Sequence, residues 1–272
     1  MPGRRSLMLA ALGCSLGGAG AHAAAPALRL GIAPFLSPAA LLAVFRPLRE
    51  QLAASLGQPV QLYTARDFRA LIEAVRGGDY ALALVPAHLA RLAVQDWDWS
   101  PMAGTVQATP VLVVVRGAGA ITTPADLAGQ HIGMLDLLSL SATVGSDWIS
   151  RQRLAVTLSP QPSINSALVA LQRDELAAVV ATASQLRRLP PQTPTGQRVL
   201  VTLASIPGPQ YIARPGLLAA EVERWRRALL AFRPDPAAPT TAPNSALTPL
   251  TEAAMAHVDL YAAELRRQLA RR

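Results

Sequence analysis

The chain has 272 residues, enough for one large domain or two lobes of roughly 100 residues each. Hydrophobic residues make up 51% and aromatics only 4%, which is ample for a core. All 25 basic residues are Arg, and the formal charge is +8; apart from Arg187–Arg188 and the terminal RRQLARR they are dispersed, without the basic stripe and stacking aromatics of a nucleic-acid binder. Nucleic acid is therefore not the expected partner, whereas mild basicity is compatible with a small anion.

The first 25 residues read as an address. Arg4 and Arg5 form a positive start, Leu7 to about Ala21 an apolar stretch, and Ala21-His22-Ala23 a small-residue cleavage signal. The apolar stretch is too short and Gly-rich for a membrane span, which needs about 20 residues. The expectation is a signal peptide over 1–25 and export to the periplasm, by the Sec or, given RRSLM, the twin-arginine route. Cleavage removes Arg4 and Arg5 and so takes two from the formal charge. Cys14, preceded by Ala11-Leu12-Gly13, loosely resembles a lipoprotein box, against which the better-formed Ala-x-Ala site argues.

Beyond the leader, strands and helices alternate. Leu28–Pro34 reads as a strand, Pro38–Leu56 as a long amphipathic helix stopped by Gly57, and Val60–Thr64 as a strand. In DFRALIEAVRGGDYALALVPAHLARLA, Asp67 to Ala93, Leu71, Ile72 and Val75 fall at helical spacing. Asp67 caps that helix and Gly77-Gly78 stops it. Tyr80–Val85 is continuously apolar, as in a parallel strand covered on both faces, and a second helix opens after Pro86. The β-branched run Val111–Val115 predicts a central strand. A short turn at Pro124–Gly129 leads to strand His131–Leu135 and helix Ser141–Arg153. A short segment near Val156–Leu158, helix Asn165–Arg173 and strand Ala177–Ala181 follow. Val199–Leu203 and Gln210–Ala213 are further strands. Helices at Leu217–Ala231 and Thr251–Leu269 flank a Pro-rich surface loop, Pro234–Pro249. Repeated βα units of this kind indicate α/β architecture.

Cysteine usage and motif spacing narrow the chemistry. Cys14 is the only Cys and lies in the leader, so the mature chain has no disulfide, thiol nucleophile or Cys-ligated zinc. The remaining His88, His131 and His257 form no HExxH or His-x-His pattern, and no metal is expected. GxSxG, P-loop and GxGxxG sequences are absent. The expectation is a protein that is not an enzyme and carries no cofactor.

Four segments, in order, carry a family resemblance: GIAPFLSP, the Asp67–Ala93 run, ADLAGQHIGMLD with LLSLS, and IPGPQYIARPGL. They resemble landmarks of phosphate/phosphite/phosphonate-type ABC-transporter substrate-binding proteins, across almost all of the mature chain. The resemblance implies the type II periplasmic binding protein fold: two α/β lobes, a hinge of two crossover strands, and a ligand trapped between the lobes by hinge closure. The crossovers would lie near Val111–Arg116 and Pro209–Arg214. Lobe 1 would be residues 26–115 completed by 210–272, and lobe 2 residues 116–209.

The site residues follow from that implied cleft. Helix N-termini offer free N–H groups and a favourable dipole to an oxyanion, and hydroxyls add donors. Ser139 and Ser141 match a Ser-x-Ser element that lines the site in related proteins; the alternative is that one merely caps the helix. Ser37, before Pro38, carries the same two readings. His88 matches a position where the resembled proteins often carry His, either donating to the anion or bonded to local backbone. Phe68 stands where phosphonate binders carry a Tyr, as a cleft wall or as a core residue. The chain departs from the pattern at Leu89, Leu140, Ile164 and Ala177, where the family usually has polar or aromatic groups. Asn165, Tyr211 and the Arg66/Arg69 pair are the reserve donors. The reading is a monomeric periplasmic solute-binding protein that captures a small oxyanion or organophosphorus-type ligand for an inner-membrane ABC transporter permease. Its alternative is a ligand-sensing subunit for a membrane signalling protein, binding a less polar organic ligand.

Overall fold

The computed structural model describes residues 26–36, 38–105, 108–187, 196–235 and 245–270, and Ser37 lies outside them. Two sheets organise the chain. The first is built by β1 (Leu28–Ile32), β2 (Val60–Thr64), β3 (Leu82–Val85), β4 (Ser100–Thr105), β10 (Gln210–Ala213) and β11 (Leu247–Pro249), in the order β11-β4-β10-β3-β1-β2. The second contains β5 (Ala108–Arg116), β6 (His131–Met134), β7 (Thr157–Pro160), β8 (Ala178–Thr182) and β9 (Gln197–Pro207), in the order β7-β6-β8-β5-β9.

Helices cover both faces of each sheet, which is why the strands read as continuous apolar runs. Helix α1 (Pro38–Leu56) buries Leu41, Phe45, Leu48 and Leu52, a 3–4 residue spacing, against Leu28, Leu30 and Ile32 of β1. Helix α7 (Ala219–Leu230) adds Trp225 and Leu229 to that core. On the opposite face lie α2 (Phe68–Arg76), α3 (Ala87–Asp96) and α9 (Asp259–Ala270). Asp67 caps α2 as its position implied, its carboxylate accepting from the Ala70 N–H at 2.7 Å. Arg266 of α9 pairs with Asp96 of α3 at 2.7 Å, which fixes the C-terminal helix on this face. In the second sheet, α4 (Leu140–Arg151) and α5 (Ile164–Gln172) pack on opposite faces of β6 and β8.

The mixed sheets correct two expectations. β3 is parallel to β1 but antiparallel to β10, so its apolar run marks burial on both faces rather than a purely parallel sheet. Val111–Arg116 lies wholly in the second sheet, paired with β8 and β9. The chain changes sheets between β4 and β5, over residues 105–108, and returns between β9 and β10, over 207–210. Ala108 is in register with Pro207, so the chain enters and leaves the second sheet at neighbouring positions. Two strands went unread. β4 contains Pro101 and Gly104, and β11 sits in the Pro-rich stretch; as an edge strand β11 tolerates Pro249. The expected helix Thr251–Leu269 is broken into α8 (Glu252–Met255), a 3₁₀ turn over Ala256–Val258, and α9.

Candidate functional site

A cleft of about 380 Å³ opens where the two sheets meet. Its lining comes from the carboxyl ends of the parallel strands in both sheets, where open α/β sheets hold ligands. Phe35 and Leu36 follow β1, Phe68 follows β2, and Pro86 follows β3. Leu135 follows β6, while Thr182 ends β8 and leads into α6 (Ala183–Arg187). Both sheet-to-sheet connections contribute, through Thr105, Thr109, Pro207 and Gly208.

Ser139 and Ser141 sit on one wall, each 5% exposed. Ser139 is the N-cap of α4, its Oγ accepting from the Ala142 N–H at 3.3 Å. The cap and the cleft lining are therefore the same residue. Ser141 lies two residues further on, and among the described residues its Oγ meets only the Ser139 Oγ, at 3.4 Å, a distance at the weak end of hydroxyl bonding. The Ser141 hydroxyl thus keeps donor and acceptor capacity at a buried position lining the cleft. The first N–H groups of α4 add to this wall, since no preceding helical carbonyl satisfies them.

Beside it stands a group the sequence reading passed over. Thr182 and Gln185 form a reciprocal cap: the Gln185 N–H donates to Thr182 Oγ1 at 3.1 Å and the Thr182 N–H to Gln185 Oε1 at 2.8 Å. Ser184 Oγ lies 3.0 Å from Thr182 Oγ1, and its N–H donates to Thr109 Oγ1 at 3.3 Å. The signal was present as Thr182-Ala183-Ser184-Gln185, a Ser/Thr-x-x-Glu/Gln capping pattern. One turn on, Arg187 lines the cleft, is exposed, and has no ion-pair partner among the described residues. It is the one charged side chain among the described residues of the lining, and no carboxylate accompanies it.

The other expected site residues divide between cleft, core and surface. Phe68 does line the cleft, and it is also core, 4% exposed against Leu71 and Val75; both of its readings hold at once. His88 is fully buried on α3 and does not line the cleft. Its Nε2–H donates to the Leu138 carbonyl at 3.0 Å, while Nδ1 has no partner among the described residues. Burial lowers its pKa from 6.5 to about 4, only partly opposed by that backbone bond, so it is neutral at pH 7. It offers an anion no charge, but it anchors the backbone just before Ser139. Tyr211 is buried in the first sheet's core beside Leu84 and Trp225, where desolvation raises its pKa far above the ordinary phenol value. Asn165 is exposed in the first turn of α5, away from the cleft lining. Arg66 pairs with neighbouring Asp67 on the surface. Among the described residues no three His, Cys, Asp or Glu side chains converge on a metal position.

Two α/β sheets joined by a pair of adjacent connections, with a cleft at the strand ends between them, define a type II periplasmic binding protein. The chain belongs to the family described as ABC transporter, phosphonate, periplasmic substrate-binding protein, whose model matches residues 30–257. Solved structures repeat the fold. A Xanthomonas citri protein bound to chloride ion is similar with a TM-score of 0.76 at 18% identity, covering 89% of this chain and 98% of that one. PhnD1 from Prochlorococcus marinus, in complex with methylphosphonate, has a TM-score of 0.74 at 10% identity, with 89% and 98% covered. A binding component of an ABC phosphonate transporter from Pseudomonas aeruginosa has a TM-score of 0.68 at 16% identity, with 90% and 98% covered. None of the curated proteins matches the sequence.

Proposed function

We propose that this protein captures a small anionic, oxyanion or organophosphorus-type ligand in the cleft and delivers it to the permease of an inner-membrane ABC transporter. The supporting observation is the wall formed by Ser139, Ser141 and Arg187, which offers hydroxyl donors and a cation with no carboxylate among the described lining residues. A charge-assisted bond to such an anion contributes about 1.5–3 kcal/mol. In this reading residues 1–25 direct export and are removed. The halves that move are 26–105 with 210–272, and 108–207, hinged at the two connections. Closure brings the apolar wall of the first half over a ligand seated on the second, with no bond made or broken.

Thermal unfolding of protein purified from the periplasm tests this, against phosphate, phosphite, phosphonates, sulfate and small organic acids. A ligand at 100 times its Kd stabilises by about 2.7 kcal/mol. The reading requires at least one oxyanion-bearing compound to raise Tm, and the Ser139→Ala/Ser141→Ala double variant to lose that response. No shift with any of them would reject it.

A further inference from the structure

The two walls of the cleft differ in chemistry. Toward the first sheet the lining is mainly apolar, from Phe35, Leu36, Leu41, Phe45, Phe68 and Pro86, with Thr105 and Ser245 as its hydroxyls. Toward the second sheet stand Ser139, Ser141, Thr182, Ser184 and Arg187. A bare oxyanion suits only half of this surface. Its oxygens facing Phe35, Phe45 and Phe68 would exchange water for hydrocarbon.

The apolar wall is also fixed in place. Leu41 and Phe45 belong to the core between α1 and the first sheet, and Phe68 to the core on the opposite face. They cannot turn aside to admit polar groups without opening those cores. Leu36 is 36% exposed at the lip, so its side chain is accessible from the cleft. At about 380 Å³ the cleft falls in the range of roughly 300–1,000 Å³ that holds organic molecules rather than single ions. The missing carboxylate matters too, since a ligand ammonium would find no counter-ion among the described lining residues.

We infer that the ligand is an amphiphilic organic acid with an uncharged hydrocarbon tail. The acid head lies on Ser139, Ser141 and Arg187, and the tail lies against Phe35, Leu36, Phe45 and Phe68. This rests on the reading of the cleft as a ligand site and specifies its substrate class.

Titration calorimetry on the purified protein decides it, using inorganic phosphate, methyl-, butyl- and hexylphosphonate, 6-aminohexylphosphonate, hexanoate, hexanesulfonate and 1-hexanol. Each methylene laid on the wall should tighten binding about fourfold, which is ~0.8 kcal/mol converted at 1.36 kcal/mol per tenfold. Butylphosphonate should therefore bind on the order of 60-fold tighter than methylphosphonate, with a negative heat-capacity change. The amino-tailed analogue and hexanol should each lose most of that gain. Leu36→Ser, at the exposed lip, should flatten the dependence on tail length. Arg187→Gln should weaken every acid by a similar factor. Stronger binding of hexanoate or hexanesulfonate than hexylphosphonate keeps the proposal and changes the head group. Phosphate and methylphosphonate binding as tightly as the longer acids overturns it while sparing the oxyanion reading. Hexanol matching hexylphosphonate overturns it as well, and failure of every acid overturns both.

Discussion

Acidification should destabilise this protein through His88. The imidazole is fully buried, bonded through Nε2 to the Leu138 carbonyl at 3.0 Å, and no charged group contributes to its shift. Desolvation lowers its pKa from 6.5 to about 4. Above about pH 6.5 His88 is neutral in both the folded and unfolded states and adds no pH dependence. Between pH 6.5 and 4 the unfolded chain takes up a proton that the folded chain refuses, so stability falls as the pH falls. Below pH 4 both states are protonated and the loss is complete. At 1.36 kcal/mol per unit, a shift of about 2.5 units amounts to roughly 3 kcal/mol over the window. Carboxylates titrate in the same range, so the assay must isolate His88. Urea unfolding of the wild type and His88→Gln at half-unit steps from pH 7.5 to 4 does this by subtraction. The stability advantage of the wild type should shrink by about 3 kcal/mol as the pH drops. A difference that stays constant across the window would refute the assignment of a neutral, buried His88.

Four further outcomes follow from the packing. Gly31→Ala should destabilise by about 1–3 kcal/mol in urea unfolding, because a Cβ there would lie 2.3 Å from the Tyr80 ring between β1 and its covering segment. Asp67→Ala should cost about 1 kcal/mol through loss of the α2 cap, whereas Asp67→Asn should retain most of it. Ser139→Ala should lower both stability, by about 1 kcal/mol, and ligand affinity, since that hydroxyl caps α4 and lines the cleft. Ser141→Ala should lower affinity with little change in the urea midpoint, because its hydroxyl has only one long contact among the described residues. Equal stability losses in the two Ser variants would contradict that division.

Local patterns were legible because their causes are local. The α1 span emerged from apolar spacing and Gly57 and the α2 cap from Asp67, while a Ser cap was expected at 139 or 141 and falls on Ser139. The family, too, was legible in four ordered segments, and its model matches 30–257. The direction in which a polar residue faces was less so. His88, one residue into α3, turns to the core and the Leu138 carbonyl rather than to the cleft. A rotation of about 100° per helical residue separates those outcomes, and neighbouring segments decide it. Tyr211 meets the same limit in a strand, where alternate residues take opposite faces and β3 and β4 on either side bury its ring. Arg187 stood out in the sequence only as half of the Arg187–Arg188 pair, with no role attached; the short α6 after β8 brings it to the lining.

The sequence by itself therefore determined the α/β alternation and the apolar core, both of which depend on composition and short-range order. Tertiary structure alone decided where the chain changes sheets. Val111–Val115 is equally apolar whichever sheet it joins, and only its pairing with residues nearly 70–90 positions away, Val179–Thr182 and Val199–Thr202, assigns it. It likewise decided that the cleft has one mainly hydrocarbon wall and one richer in hydroxyls. Those walls come from segments separated by up to 150 positions, and no short-range pattern records which side chains will face each other across the space between two sheets.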